Sequence, residues 1–158
     1  TSNSINSKKK HNIVLKKILI PFDGSEFSQK AFEKGLEIAE KFESQLIVLT
    51  IIQSKVSDST GISIERMREI QDEEEDAATT LLEDLESQAH AKNVPFSMKI
   101  INNPSTPDGI TAFAESNDVD LIIIGSHGRT GFRNLVLGSV ANGVLSHAKC
   151  PVLVTKGA

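Results

Sequence analysis

The chain has 158 residues, enough for one domain that buries about two-thirds of the surface its unfolded form exposes. With 21 acidic against 17 basic residues its formal charge is −4, which gives no electrostatic reason to bind nucleic acid or an anionic membrane. No stretch nears the roughly 20 apolar residues of a membrane span and the start lacks a signal peptide's apolar region, so a cytoplasmic location is the expectation.

Residues 1–12 are rich in Ser, Asn and Lys without periodicity and read as a disordered tail, leaving 13–158 as the single domain. The Lys8-Lys9-Lys10-His11 cluster in that tail reads as solvated charge. Residues 17–22 form a first strand, and Asp23-Gly24-Ser25 leads into a helix with Phe27, Ala31, Phe32, Leu36, Ala39 and Phe42 on its buried side. Ser25 is placed to cap it. Asp23 stands just past the carboxyl end of an apolar strand. There an acid either closes a turn or accepts hydrogen bonds from ribose hydroxyls, or helps to hold a phosphate-bound metal; the residues alone leave these open.

A second strand spans 45–52, a polar loop 53–62, and a long helix 64–91 with Met67, Ile70, Ala77, Ala78, Leu81, Leu82 and Leu85 at helical spacing. The acidic run 72–76 points in all directions around that helix and lacks calcium-loop spacing, so it reads as a solvated face. Residues 96–101 make a third strand. Thr106-Pro107 then has the form of an N-cap and first helical residue, followed by Ile110, Phe113 and Ala114.

Residues 121–124 are a short unbroken branched-apolar run, the pattern of a parallel strand covered on both faces. Gly125 ends it, Gly128 and Gly131 follow, and Gly138-Ser139 opens a helix with Val140, Val144, Leu145 and Ala148 on one face. Ser139 is the expected N-cap, Pro151 marks the end, and 152–154 is a fifth strand. The N–H groups of that helix's first turn, at about 140–142, have no intrahelical acceptor, and the macrodipole adds roughly half a positive charge, so backbone alone suffices to hold a phosphate. Gly125 and Gly128 are expected to permit positive φ and close approach of a ligand to the main chain. One at a time, such glycines serve equally as tight turns.

His127 reads as a binding or solvent-facing residue, with no acid beside it to make it a base. Arg129 and Arg133 either screen phosphate charge or face solvent. His11, His90 and His147 have no partners at metal-ligand spacing, and Cys150, the single cysteine, reads as a small buried hydrophobe. There is no Gly-x-x-x-x-Gly-Lys-Ser/Thr and no His-x-Gly-His, and the turn after the first strand is not that of an adenylating PP-loop enzyme. Strands alternating with helices give an α/β fold with a parallel sheet.

The order Gly125, Gly128, nine residues, Gly138-Ser139 resembles the nucleotide-binding signature of the universal stress protein family. KILIPFDGSEFS (17–28) is similar to that family's first strand and aspartate loop, and CPVLV (150–154) to its last strand, so the likeness spans about 16–156. It implies a Rossmann-like open parallel five-stranded sheet, order 3-2-1-4-5, with helices on both faces. The winding then reverses between the first and fourth strands, where Asp23 and Gly125 stand.

The resemblance also implies a site. Pro21, Phe22 and Asp23 would lie beside the base, the main chain of Val48 or its neighbours would meet adenine, and Asp23 would meet the ribose. Gly125, His127, Gly128, Gly138, Ser139, Val140 and Ala141 would surround the phosphates, chiefly through backbone N–H groups. Ala141 departs from members with Thr or Ser there, and 103–107 lacks a Gly-x-Pro turn.

The implied function is a stress-response signalling module of the ATP-binding kind, binding ATP, ADP or AMP with or without magnesium. It would be a homodimer through the last strand, with no nucleic-acid or membrane partner and a protein partner unidentified. The alternatives are a slow ATPase or phosphotransferase and a nucleotide-free dimeric interaction module.

Overall fold

A computed structural model describes residues 14–53, 61–129 and 136–157. The lysine cluster at 8–10, Gly131 and Arg133 lie outside them. The elements in chain order are β1 (Lys17–Pro21), α1 (Glu26–Phe42), β2 (Gln45–Ile52), α2 (Ile64–Ala91), β3 (Phe96–Asn102), α3 (Thr106–Ser116), β4 (Leu121–Gly125), α4 (Ser139–His147) and β5 (Val152–Thr155). All five strands are parallel, in the order β3-β2-β1-β4-β5, with helices on both faces.

Alternation along the strands divides the apolar residues between two cores. Ile18, Ile20, Leu46, Val48 and Ile123 point to the α1 and α2 side, where Phe32, Leu36, Leu82 and Leu85 meet them. Leu19, Ile47, Leu49, Ile122 and Ile124 point to the other side and pack on Ile110 and Ala114 of α3 and Val144 of α4. An unbroken apolar run is therefore what these strands require, since neither face is wet.

The β1–β4 ladder is short. Ile18 pairs with Leu121 and Leu19 with Ile122, whereas β1 pairs with β2 through five positions up to Pro21–Leu49. Phe22 N–H donates to the Leu49 carbonyl on the β2 side. By alternation, the nitrogen of Pro21 faces β4, and it has no hydrogen to donate. The two central strands thus part at their carboxyl ends, in the place where a doubly wound sheet opens its crevice.

Helix starts follow local chemistry. The side chains of Ser25, Ser63 and Ser105 each accept a hydrogen bond from the N–H three residues on. The cap of α3 is thus Ser105 rather than Thr106, one residue earlier than expected, with Pro107 in its first turn.

The expected bounds of α2 hold, but its apolar residues divide. Ala78, Leu82, Leu85 and Ala89 are buried, while Ile64, Met67, Ile70 and Leu81 are exposed. The cause is length: 28 residues of helix extend about 42 Å, well beyond strands of five to eight residues. Amides of 64–77 should therefore exchange with solvent deuterium faster than those of 78–91, and Ile70→Ser should change stability by no more than about 0.5 kcal/mol. Phe42, the last residue of α1, is likewise exposed rather than buried.

Candidate functional site

The carboxyl ends of β1 and β4 carry the residues singled out by sequence. Gly24 follows Asp23 with φ +82°, a left-handed turn that brings Ser25 N–H onto Asp23 Oδ1 at 2.9 Å. Asp23 Oδ2 accepts from Arg129 N–H at 3.0 Å, across 106 residues of sequence. One carboxylate thereby ties the loop after β1 to the loop after β4. Burial pushes the Asp23 carboxyl up. Hydrogen bonds from Ser25 and Ser28 and from the Arg129 backbone outweigh it and hold the group below the usual carboxylate range.

The glycines of this region stand where space is short, most of all at Gly125 and Gly128. None of Gly125, Gly128 and Gly138 has positive φ, which corrects the expectation for the first two. A Cβ on Gly125 would lie 2.8 Å from the main chain of Phe27, in the first turn of α1. One on Gly128 would lie 2.8 Å from Asp23 Oδ2, and one on Gly138 would lie 3.2 Å from the Ser126 carbonyl. The Arg129 guanidinium covers Gly24, where an added Cβ would come within 3.1 Å of Nη2.

Helix α4 starts differently from α1, α2 and α3. Its N-cap is Gly138, not Ser139, and no side chain caps it, because glycine has none to offer. Gly138 N–H donates to the Ser126 carbonyl at 2.6 Å, which fixes the helix start against the end of β4. Asn142 N–H makes the first intrahelical bond, to Gly138. The donors without an intrahelical acceptor are therefore those of Ser139, Val140 and Ala141, one position earlier than expected. Ser139 is exposed and Ala141 is buried.

Two residues expected beside the base are placed by the sheet and its core. Val48 sits inside the sheet, paired with Ile20 on one side and Met98 on the other, with its side chain in the core. Since β1 pairs only as far as Leu49, main chain beyond β1 begins at Thr50 and Ile51. Phe22 is buried in the α1-side core, and its carbonyl accepts from Thr50 Oγ1, so its ring is not presented to a ligand. Pro21 is buried as well.

Two contributors escaped sequence reading. Ser126, almost fully buried, holds His127 Nδ1 through its hydroxyl at 3.0 Å. Phe27 packs its ring on the His127 ring, centroids 5.2 Å apart. Helical periodicity assigns Phe27 to the core and says nothing of what lies over it.

Among the described residues no group of three His, Cys, Asp or Glu is placed to hold a metal, and no helix is long and apolar enough to cross a membrane. A cavity of about 190 Å³ lies at the other end of the sheet, lined by Thr111, Glu115, Asp118, Lys149 and Cys150 among others. It contains none of the glycine-loop residues.

Universal stress protein MJ0531 of Methanocaldococcus jannaschii is 34% identical over 145 residues, covering 89% of this chain and 82% of the relative. Among solved structures, that of protein MJ0577 from the same organism is 28% identical with a TM-score of 0.79, covering 92% of this chain and 99% of the other. A universal stress protein in complex with cAMP and one from Archaeoglobus fulgidus in complex with dAMP share the fold at TM-scores of 0.68 and 0.60. Each is 19% identical, and each alignment covers 90% of this chain and 98% of the other. The model of the universal stress protein family matches residues 15–156, and the chain belongs to that family.

Proposed function

We propose that the chain is an adenine-nucleotide-binding signalling module, in which Asp23 meets the ribose and the glycine loop with the start of α4 holds the phosphates. One observation carries this reading: the Asp23 carboxylate and the side-chain-uncapped start of α4 are both tied to 126–129, at the point where β1 and β4 part. An acceptor for hydroxyls and a bank of main-chain donors for an anion on one short loop suit a ribose phosphate. That family members have been solved with cAMP and with dAMP supports the same ligand class. Within the reading, Thr50 and Ile51 replace Val48 as the main chain nearest the base, and Arg129 stands at the phosphate rim.

The test is to denature the purified protein, identify any released nucleotide by mass spectrometry, and titrate the emptied protein with ATP, ADP, AMP and cAMP, with and without magnesium. Stoichiometric binding of an adenine nucleotide is expected, with phosphate release from ATP below about one per second, under the usual enzyme range. Absence of binding to all four would overturn the reading.

A homodimer through β5 belongs to the same proposal. Val152–Thr155 is an edge strand that pairs with β4 alone in the sheet, and Leu153 is exposed on it. Sedimentation should give a dimer for the parent chain and a monomer for Leu153→Lys. A monomeric parent would remove the dimer from the proposal.

A further inference from the structure

The ring of Phe27 meets two segments far apart in sequence. Gly157 lies against it, where an added Cβ would come 2.3 Å from Phe27 Cε1 and 2.6 Å from Cδ1. The His127 ring meets it as well, inclined at 50°. The main chain of Phe27 cannot yield, because it rests on Gly125, where even one added carbon would come 2.8 Å from its carbonyl. The ring alone has latitude, and Gly157 and His127 bound it.

A second link joins the same segments. Ser126 N–H donates to the Thr155 carbonyl at 2.9 Å, while the Ser126 hydroxyl meets His127 Nδ1 and its carbonyl takes Gly138 N–H. His127 is thus constrained at one ring nitrogen by Ser126 and across its ring by Phe27. Both supports lean on 155–157. An imidazole has two side-chain torsions, and these contacts restrict both.

We propose that the segment after β5, Lys156-Gly157, is a positioning element for the phosphate side of the nucleotide site, acting through the Phe27 ring to set the orientation of His127. Phe27 is a positioning residue. It touches His127. Because β5 is an edge strand, a segment that pairs along it bears on 155–157 and so on His127. The effect on nucleotide affinity rests on the function proposed above; the effect on the His127 ring does not.

The experiment follows the ring signals of His127 in proton–carbon spectra of the full chain, assigned by their loss in His127→Gln, together with the ring-to-ring proton contact to Phe27. Gly157→Ala introduces a carbon that the Phe27 ring must move to admit. It is expected to shift the His127 ring signals, to weaken the Phe27–His127 proton contact, and to weaken AMP binding roughly three- to tenfold. Phe27→Leu keeps apolar cover over Gly125 and should move the same His127 signals without any change at position 157. A merely structural role would lower thermal stability and leave the His127 signals in place.

Unshifted His127 signals in Gly157→Ala would overturn the inference. So would weaker binding without a shift, since the effect would then travel by another route. If the signals shift as described and the parent chain binds no adenine nucleotide, the positioning inference stands and the nucleotide reading fails.

Discussion

Replacing Gly125 with alanine is expected to lower unfolding free energy by about 1–3 kcal/mol, the usual range for forcing one extra carbon into a packed site, and to weaken AMP binding by about tenfold or more. The added Cβ meets Phe27 carbonyl carbon and oxygen at 2.8 Å. Main-chain atoms in the first turn of a helix have no rotamer to change, so α1 must move off β4. That movement carries Ser25 and the Asp23 turn with it, because Ser25 caps α1 and donates its N–H to Asp23. Chemical denaturation measures the first effect and calorimetric titration the second. Stability and affinity both close to the parent's would show that the strand end does not depend on this contact.

Asp23→Asn should lower stability by about 1.5–3 kcal/mol, the range for hydrogen bonds to a charged group, and weaken nucleotide binding by about one to two orders of magnitude if the ribose hydroxyls donate to the carboxylate. The amide offers one oxygen where Ser25 N–H and Arg129 N–H now meet two, so its NH₂ opposes another donor. The pH dependence has a definite sign. Asp23 is held below the usual carboxylate range in the folded chain. Its contribution is therefore present above the unfolded value of about 3.9 and is lost as pH falls through the folded value. The stability gap between the parent chain and Asp23→Asn should be wide at neutral pH and close in acid. A gap that is constant with pH would mean that the charge of Asp23 contributes nothing to holding the two loops.

The element pattern was largely legible in the sequence because its causes are local. Branched-apolar runs as at 121–124 suit strands covered on both faces, and the serine at 25 accepts the N–H that a helix start leaves over. The reach of α2 was legible too, from periodicity. Which half of it is buried was not, since that depends on how far β2 and β3 extend beneath it. Ser139 shows the limit of cap reading. A serine beside a glycine suggests the serine as cap, but the hydrogen bond from Gly138 to Ser126 starts the helix one residue earlier.

By itself, then, the sequence determined the alternation of strands and helices, the apolar faces, and an acid and a set of glycines at strand ends, all governed by residues a few positions apart. Only the tertiary structure decided what those residues are for. Gly125 and Gly128 are small because Phe27 and Asp23 occupy the space a Cβ would take, not because the chain turns through positive φ there. Val48 lies inside the sheet because both neighbouring strands pair with it. Phe27 reaches His127 because β4 ends beneath the first turn of α1. Each of these rests on contacts between segments tens of residues apart, and the spacing of residues along a chain carries no measure of that distance.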